Sequence, residues 1–334
     1  MQVHAFAALS RGADLTPLTY DLPDPRDEDC IVAVSSCGIC HSDIHMIDND
    51  WRMTRYPLVP GHEVVGTIVT TGRSVTHLKK GDRVGIGWQR GACLHCPDCL
   101  GGNENLCDHS DGLIVGHHGG FADHVMVDAR FAFPLPAGLA TDSAGPLLCG
   151  GATVYSALRH AGMGSGANIG VLGIGGLGHL AVQFASRLGN RVTVFTTSPD
   201  KAKLAMNLGA YDAVVVPTGG APPRGAYRLD ILVSTVPHVS DWRGYIDTLA
   251  SDGTLVFVAV PPKTIELNVG WLLEKRRRIM ASPIGGRAII TEMLATAERF
   301  GIEPVIETFP MASVNEALAR VRKNEVRYRA VLMR

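Results

Sequence analysis

The first part of the chain alternates short β-branched runs with Gly, Pro and Asp turns. The runs predict strands at Ile31–Val34, Val64–Val69, Val84–Ile86 and His124–Val127. Several short strands separated in this way are typical of a small all-β, barrel-like unit. We therefore predict a β-rich domain that extends to about residue 145.

From about residue 150 the pattern changes to alternating strands and helices. Apolar runs predict buried strands at Asn168–Leu172, Arg191–Phe195, Ala213–Val216, Ile231–Ser234 and Leu255–Ala259. Residues with helical periodicity lie between them at Leu177–Leu188 and Lys201–Leu208. This alternation predicts βαβ units in a parallel, doubly wound sheet.

The last fifty residues return to a different pattern. Thr291–Phe300 and Val314–Lys323 have the periodicity of amphipathic helices, and Arg327–Met333 predicts a final strand. We expect this tail to rejoin the first domain, so that one domain interrupts the other. The predicted fold class is therefore α/β plus β.

Composition and charge exclude several classes of function. The 334 residues include 31 Lys and Arg against 32 Asp and Glu, a net charge of −1, which offers no basic face for nucleic acid or anionic lipid. Arg11 and Asp14 interrupt the N-terminal segment where a secretory signal would stay apolar. No apolar run reaches membrane-spanning length. We expect a cytoplasmic protein with neither nucleic acid nor membrane as a partner.

The eight cysteines fall into a pattern that predicts metal binding. Four of them, Cys93, Cys96, Cys99 and Cys107, have the spacing C-x2-C-x2-C-x7-C. Four thiolates so close in sequence can close around one tetrahedral Zn²⁺ that stabilises its loop. An iron–sulfur cluster of the ferredoxin type is the alternative, but its fourth cysteine has a different spacing.

A second set of candidate ligands is dispersed along the chain. Cys40 opens the segment Cys40-His41-Ser42-Asp43-Ile44-His45, and the turn Gly61-His62-Glu63 follows about twenty residues later. The thiolate of Cys40, the imidazole of His62 and a second thiolate from a distant cysteine would make a zinc site with a fourth position open to substrate. Each of these residues taken alone is more often packed or solvent-exposed than metal-bound.

A glycine-rich loop predicts dinucleotide binding. Gly173, Gly175, Gly176 and Gly178, with Leu177 between the last two, follow a predicted strand and open a predicted helix, which is the context that the G-x-G-x-x-G motif requires. The glycines allow a tight turn and close approach of the backbone to a pyrophosphate. The helix N-terminus then supplies hydrogen-bond donors.

The residues after the next strand favour NADP over NAD. An NAD site would place an Asp or Glu at the end of that strand, near Phe195, to bind the ribose hydroxyls. This chain has Thr196, Thr197 and Ser198, with Lys201 shortly after. Hydroxyls and a lysine are suited to a 2′-phosphate. Asp200 lies on the same loop and could repel that phosphate or point to solvent.

Several motifs in one order resemble a known family. They are Cys37–Asp43, Gly61-His62-Glu63-x2-Gly66-x5-Gly72-x2-Val75, Pro146–Gly150, Gly173–Gly178, Thr196–Lys201 and Val326–Arg329. Together they resemble the zinc-dependent medium-chain alcohol dehydrogenases, and among these the cinnamyl alcohol dehydrogenase branch, over essentially the whole chain.

The resemblance implies a fold and an assembly. A GroES-like catalytic domain would comprise residues 1–149 and 285–334, and a Rossmann domain inserted into it would comprise residues 150–284. The resemblance also implies a cleft where the two domains meet. The homodimer usual in the family is a further expectation.

The resemblance also assigns roles to residues. Cys40, His62 and Cys149 would hold a catalytic zinc, with Glu63 as a neighbour able to replace its water and Asp43 orienting His62. With the four-cysteine site this makes two zinc ions per chain. Cys30 and Cys37 would be packed thiols. Residues implied near the nicotinamide are Thr153, Val236, Val260, Ser282 and Ile284, and Arg329 is implied near the pyrophosphate.

The expected reaction is NADP(H)-dependent interconversion of primary alcohols, aromatic or allylic, and their aldehydes. Ser42 and His45 stand where the family places a proton relay, although each could be an ordinary polar residue of a loop. Trp51 and Trp88 are candidates for the substrate pocket or, equally, for core or dimer contacts. An NAD-dependent polyol or secondary-alcohol dehydrogenase, a zinc-free reductase and a non-catalytic nucleotide-binding protein remain alternatives.

Overall fold

The computed structural model describes residues 1–261 and 263–334. The chain divides into two compact units. Unit 1 comprises Met1–Cys149 and Gly285–Arg334, and unit 2 comprises Gly150–Ile284. Each unit has its own sheets and its own apolar core.

Both units combine short strands with helices. In chain order the strands are β1 Gln2–Ala7, β2 Thr16–Asp21, β3 Asp29–Ile39, β4 Val64–Thr71, β5 Arg83–Ile86, β6 Gln89–Gly91, β7 Asp111–Gly112, β8 His124–Asp128, β9 Ala132–Pro134, β10 Asn168–Leu172, β11 Arg191–Thr196, β12 Asp212–Val215, β13 Leu229–Ser234, β14 Leu249–Phe257, β15 Arg278–Ala281, β16 Ile306–Pro310 and β17 Arg329–Met333. The α-helices are α1 His41–Ile47, α2 Pro97–Leu100, α3 Gly150–His160, α4 Gly178–Arg187, α5 Pro199–Asn207, α6 Trp242–Ile246, α7 Gly270–Leu273, α8 Arg287–Phe300 and α9 Val314–Arg322. Single 3₁₀ turns lie at Glu104–Leu106, Ala129–Phe131, Gly145–Leu148 and Met311–Ser313. Among the described residues, none of these helices combines the length and the apolar character needed to cross a bilayer.

Unit 1 is built around the long strand β3. This strand pairs antiparallel with β4, β8 and β17 in a sheet ordered β16-β17-β3-β4-β5-β9. The pairing Ala330↔Ile39 joins the C-terminal strand to the end of β3. Consequently the start of β17, at Arg329 and Ala330, lies beside the segment that opens at Cys40.

The short strands predicted in the first part of the chain are confirmed within β3, β4, β5 and β8. Their inward side chains, with those of α1 and α9, form one apolar core. Phe121 and Phe131 are among its largest fully buried members. Cys30 and Cys37 are also fully buried, as expected of packed thiols. The sequence pattern does not predict helix α1, because a segment of seven residues is too short to show a clear helical period.

Unit 2 contains a parallel six-stranded sheet in the order β12-β11-β10-β13-β14-β15. Numbered from the first strand of this unit, the order is 3-2-1-4-5-6, which is that of a doubly wound dinucleotide-binding fold. β10 lies at the centre and ends at Leu172, directly before the glycine loop. The predicted parallel sheet is confirmed.

Two predictions in unit 2 need correction. The strand predicted at Leu255–Ala259 is β14, which begins six residues earlier and ends at Phe257. Ser251, Asp252 and Gly253 interrupt the apolar residues of this strand, and Asp252 has φ 63° where the pairing with β13 is irregular. Hydrophobicity therefore does not reveal the start of the strand. Helix α3 was not predicted, since it begins with Gly150 and Gly151 and glycine is a poor helix former.

Candidate functional site

Four ligating side chains from three separated segments of unit 1 converge on one point. The ligand atoms of Cys40, His62, Glu63 and Cys149 all lie within 4.8 Å of one another. The His62 Nε2 atom is 3.3 Å from the Cys149 Sγ atom, and the two sulfurs are 3.8 Å apart. This is the set of residues that the resemblance implies for a catalytic zinc.

Local structure explains how each residue reaches this point. Cys40 follows β3 directly and caps the N-terminus of α1. His62 lies in the turn before β4, where Gly61 has φ 103°. A Cβ atom at Gly61 would lie 2.6 Å from the Phe121 ring, so only glycine fits this turn. Cys149 follows the 3₁₀ turn Gly145–Leu148.

Asp43 connects two of these segments through hydrogen bonds. Its fully buried carboxylate accepts from the backbone N–H groups of Cys40 and Gly61, each at 2.9 Å, and lies 2.9 Å from the His62 Nδ1 atom. The Nδ1–H group donates to Asp43, which directs Nε2 at the thiols, where it would bind a metal once its proton is lost. Burial lowers the pKa of His62, but the Asp43 carboxylate and the Cys40 sulfur together outweigh burial and raise the pKa well above its usual range.

The geometry of the cluster fits a zinc ion. Tetrahedral zinc thiolates have Zn–S bonds of about 2.3 Å, which places two sulfurs about 3.8 Å apart. The separation of the Cys40 and Cys149 sulfurs has this value. A hydrogen bond from Cys149 lowers the pKa of the half-buried Cys40 thiol well below its usual range, and the same bond raises the pKa of the buried Cys149 thiol. The cluster thus favours one thiolate, and a bound metal would stabilise the second.

Glu63 stands beside the cluster with one oxygen uncommitted. Its Oε1 atom accepts a hydrogen bond from the buried guanidinium of Arg329, whereas Oε2 has no partner within the described residues. A Cβ atom at Gly38 would lie 2.0 Å from Oε2, so the absence of a side chain there makes room for the carboxylate. Glu63 can therefore serve as an additional ligand.

The candidate relay residues lie on α1. The Ser42 hydroxyl is 3.7 Å from the Cys40 sulfur. His45, one turn further along the helix, is partly exposed, and its Nδ1 atom is 2.7 Å from the Asp50 carboxylate. Sequence reasoning missed Asp50, because it lies in the loop after α1 and no spacing rule links it to His45.

Aromatic rings extend from the cluster of Cys40, His62 and Cys149 towards the surface. The Trp88 ring packs edge-on at 5.2 Å from the His62 ring, and Trp51 packs edge-on at 6.0 Å from Trp88. The ring of His45 is 5.3 Å from Trp51. Trp51 is 40% exposed. Both tryptophans therefore lie beside candidate catalytic groups.

The four closely spaced cysteines of the loop between β6 and β7 also form a cluster. The ligand atoms of Cys93, Cys96, Cys99 and Cys107 lie within 4.8 Å of one another. The Cys93 sulfur is 3.9 Å from that of Cys99 and 3.5 Å from that of Cys107, which again matches tetrahedral zinc. Glu104 lies in the same loop between β6 and β7, and its carboxylate accepts hydrogen bonds from the backbone N–H and Nε–H groups of Arg287. These bonds attach the loop to the start of α8.

In unit 2 the glycine loop lies between β10 and α4, as its motif requires. Gly173 has φ 87°, and α4 begins at Gly178. A Cβ atom at Gly178 would lie 2.1 Å from the Gly173 carbonyl oxygen. Gly175 has open space around it, while Gly176 and Leu177 complete the turn.

The candidate phosphate-binding residues lie at the carboxyl end of β11. Thr196 is its last residue, Thr197 and Lys201 are exposed, and Ser198 caps the N-terminus of α5. The Ser198 hydroxyl oxygen accepts from the Lys201 N–H group at 3.4 Å. Asp200 is exposed on the first turn of α5.

The remaining candidates are dispersed in unit 2, with one exception. Thr153 is buried on α3, and Ser282 is buried directly after β15. Val236 packs over Gly173, where a Cβ atom would lie 2.3 Å from the valine side chain. Val260 is 79% exposed, and Ile284 is partly buried. The exception is Arg329, which lies in unit 1 and pairs with Glu63.

Comparison with known proteins agrees with both units. The family model described as alcohol dehydrogenase GroES-like domain matches residues 26–137, and that described as zinc-binding dehydrogenase matches residues 176–299. An aldehyde reductase of Synechocystis is 42% identical over 330 residues, with 99% of this chain and 98% of the relative covered. A probable cinnamyl alcohol dehydrogenase of Populus deltoides is 38% identical over 342 residues, with 99% and 95% covered. The solved structure of CAD from Helicobacter pylori complexed with NADP(H) is 28% identical with a TM-score of 0.92, covering 100% of this chain and 98% of the other.

Proposed function

Because the chain belongs to the zinc-binding alcohol dehydrogenases, a family of oxidoreductases that interconvert alcohols and aldehydes, we propose that it is an NADP(H)-dependent reductase of aromatic or allylic aldehydes. The observation that carries this proposal is the cluster of Cys40, His62 and Cys149 beside an aromatic wall. Three ligands leave one coordination position for a substrate oxygen.

The catalytic metal would be held by Cys40, His62 and Cys149. Zinc bound there would act as a Lewis acid that polarises the carbonyl of the aldehyde. Asp43 keeps the His62 ring in the tautomer that presents Nε2. Glu63 offers its uncommitted oxygen when no substrate is present, and Arg329 holds the other oxygen of that carboxylate.

The proton for the product alcohol would come from Ser42. Its hydroxyl lies 3.7 Å from the Cys40 sulfur, and a hydroxyl can pass a proton on only if a second group restores it. His45 is partly exposed and can exchange protons with water. The Asp50 carboxylate orients the His45 ring from the other side, through the 2.7 Å contact.

The cofactor would be NADP(H), a carrier of hydride. The pyrophosphate would bind at the glycine loop and the N-terminus of α4. Thr196 ends β11, and Thr197 and Ser198 follow it, where an NAD enzyme has a carboxylate. Lys201 is exposed on the first turn of α5. The NADP(H) complex of the Helicobacter structure supports this choice.

The substrate class is proposed from the aromatic wall. Trp88 faces the ligand His62, and Trp51 continues the wall outward. Flat aromatic or allylic aldehydes can stack on such rings. The names of the relatives, aldehyde reductase and cinnamyl alcohol dehydrogenase, support an aldehyde of this kind. A polyol dehydrogenase is the second candidate.

A second zinc would be held by Cys93, Cys96, Cys99 and Cys107. Four ligands leave no open position, so its role would be to stabilise the loop between β6 and β7. We also propose a homodimer formed through the edge strand β15. Exposed apolar side chains on the segments before this strand support that interface; they are Leu267, Val269 and Leu273.

The test is NADPH oxidation with aliphatic, benzylic and cinnamyl aldehydes, with NADH as the cofactor control. We expect the highest kcat/KM with NADPH and an aromatic or allylic aldehyde. Faster turnover of a polyol with NAD would instead support the polyol dehydrogenase. Metal analysis should give two zinc ions per chain, and no zinc or one would favour the zinc-free alternatives. Sedimentation should show a dimer that Leu273→Glu converts to a monomer.

A further inference from the structure

A buried histidine follows the glycine loop, and neither the metal chemistry nor the relay uses it. His179 is the second residue of α4 and has no solvent exposure. Its Nδ1 atom is 3.0 Å from the Gly175 carbonyl oxygen. Since a carbonyl can only accept, Nδ1 carries the proton and donates it to this bond. The backbone N–H group of His179 also donates to that oxygen, at 3.1 Å.

Two donors from one residue therefore fix the direction of the Gly175 carbonyl. In a planar trans peptide the C=O group and the following N–H group point in opposite directions. Fixing the Gly175 carbonyl towards α4 consequently fixes the Gly176 N–H group away from it. That N–H group donates to no acceptor within residues 1–261 and 263–334, so it is available to an anion in front of the helix.

The Thr235 side chain fixes the direction of a second carbonyl, in the preceding part of the loop. The Thr235 hydroxyl, just beyond the end of β13, is 2.9 Å from the Leu172 carbonyl oxygen and 3.2 Å from that of Gly173. By the same peptide geometry, fixing the Gly173 carbonyl fixes the Ile174 N–H group. Across the described chain, that group also has no acceptor.

We propose that His179 and Thr235 are positioning residues that preorient the N–H groups of Gly176 and Ile174 towards the pyrophosphate of the dinucleotide. The inference rests on the proposed NADP(H) function and deepens it. Preorientation matters because Gly173 and Gly175 would otherwise leave the peptide planes that follow them free to turn. Loss of either hydrogen bond to the loop would weaken dinucleotide binding, although neither side chain need contact the cofactor.

The experiment compares matched pairs of variants in the zinc-loaded enzyme. His179→Leu removes the donor and keeps the bulk, whereas His179→Asn keeps an N–H donor near the Nδ1 position. Thr235→Val and Thr235→Ser form the second pair. Thr248→Val is the control, because the Thr248 hydroxyl is buried in the same unit and donates to the Tyr245 carbonyl, away from the loop.

The readouts are dissociation constants for NADPH, NADH and 2′-AMP, measured by calorimetry. Removing one buried hydrogen bond of this kind costs about two- to tenfold in an equilibrium constant. We expect His179→Leu and Thr235→Val each to raise the Kd of NADPH and of NADH by the same factor, about fivefold. The Kd of 2′-AMP, which lacks a pyrophosphate, should not change. In kinetics the KM for the cofactor should rise by a larger factor than kcat falls.

Conservative replacement separates positioning from general damage. His179→Asn and Thr235→Ser should restore the Kd of NADPH to within about twofold of the wild type. Equal loss in the Leu and Asn variants, a parallel loss of 2′-AMP binding, or an equal effect of Thr248→Val would overturn the proposal. A wild-type protein that binds neither dinucleotide would overturn the proposed function instead.

Discussion

The Oδ1 atom of Asp43 lies 2.9 Å from the Nδ1 atom of His62, and both side chains are fully buried. The same carboxylate accepts the backbone N–H groups of Cys40 and Gly61. One acidic side chain therefore holds two ligand-bearing segments in register and selects the tautomer of the histidine. A buried carboxylate with three donors stabilises a single arrangement of the site.

Asp43→Asn should weaken zinc binding. The amide removes the negative charge and can present N–H groups where donors now point, so His62 loses its fixed tautomer. Loss of such an outer partner costs about 10- to 100-fold in metal affinity. Competition with a chromophoric chelator measures the affinity of the open site. Asp50→Asn is the control, since Asp50 contacts only the relay histidine, and equal affinity in both variants would contradict the assignment.

Ser42→Ala should remove the proton relay while sparing the metal site. The hydroxyl lies at the cluster but is not a ligand in it. We expect kcat to fall by about 10²- to 10⁴-fold, with zinc content and the Kd of NADPH as in the wild type. Ser42→Thr keeps the hydroxyl and should retain most of the turnover. Near-normal turnover in Ser42→Ala would remove this residue from the relay.

Replacing Thr197 and Lys201 with alanine should shift cofactor preference. Both side chains are exposed at the end of β11 and the start of α5, where a 2′-phosphate would lie. A hydrogen bond to a charged group contributes about 1.5–3 kcal/mol, so the Kd of NADPH should rise at least tenfold while that of NADH changes little. Lys203→Ala, a change to another exposed lysine of α5, is the control. Equal losses for both cofactors would mean that other residues bind the phosphate.

Cys99→Ser should remove one zinc ion per chain and leave the other. The serine oxygen is a poorer zinc ligand than a thiolate, and among the described residues the site supplies these four sulfurs as its ligands. We expect metal analysis to give one zinc, with a lower melting temperature of unit 1. Cys30→Ser alters a buried cysteine outside both clusters, and it should keep two zinc ions even if it is somewhat destabilised.

Glu104→Gln should destabilise the protein at neutral pH and much less in acid. Burial raises the pKa of Glu104, but the hydrogen bonds from Arg287 outweigh it and hold the pKa below its usual value. A carboxyl with a lowered pKa in the folded state stabilises it above the unfolded-state pKa, and this contribution is lost as the pH falls through the folded-state pKa.

The measurement is the free energy of unfolding of wild type and variant at pH 7 and at pH 4 and below. The difference should be about 1–3 kcal/mol at pH 7 and should shrink as the pH falls below about 4.5. Comparing the two proteins at each pH cancels the protonation of the thiolates, which both share. A difference that does not depend on pH would contradict the ion pair.

Much of the chemistry was readable from the sequence because it is local. Within fifteen residues lie four cysteines, Cys93, Cys96, Cys99 and Cys107. Their spacing alone therefore predicts that their sulfurs can meet. The glycine loop is recognisable because its strand, turn and helix are contiguous. The end of β11 carries its hydroxyls and lysine in one short run, where a carboxylate would have indicated NAD.

Only the tertiary structure decided the contacts that join distant segments. The family resemblance implies that Asp43 orients His62, but no pattern in the sequence shows that Arg329 reaches Glu63 across 266 residues or that Thr235 reaches the Gly173 carbonyl. Such contacts depend on strand pairing, for example of β17 with β3, which is set by the packing of the whole core. Sequence patterns indicate which side chains are buried and whether a segment is a helix or a strand. They do not indicate which buried group lies opposite another, because the pairing of distant segments is fixed only when the sheets assemble.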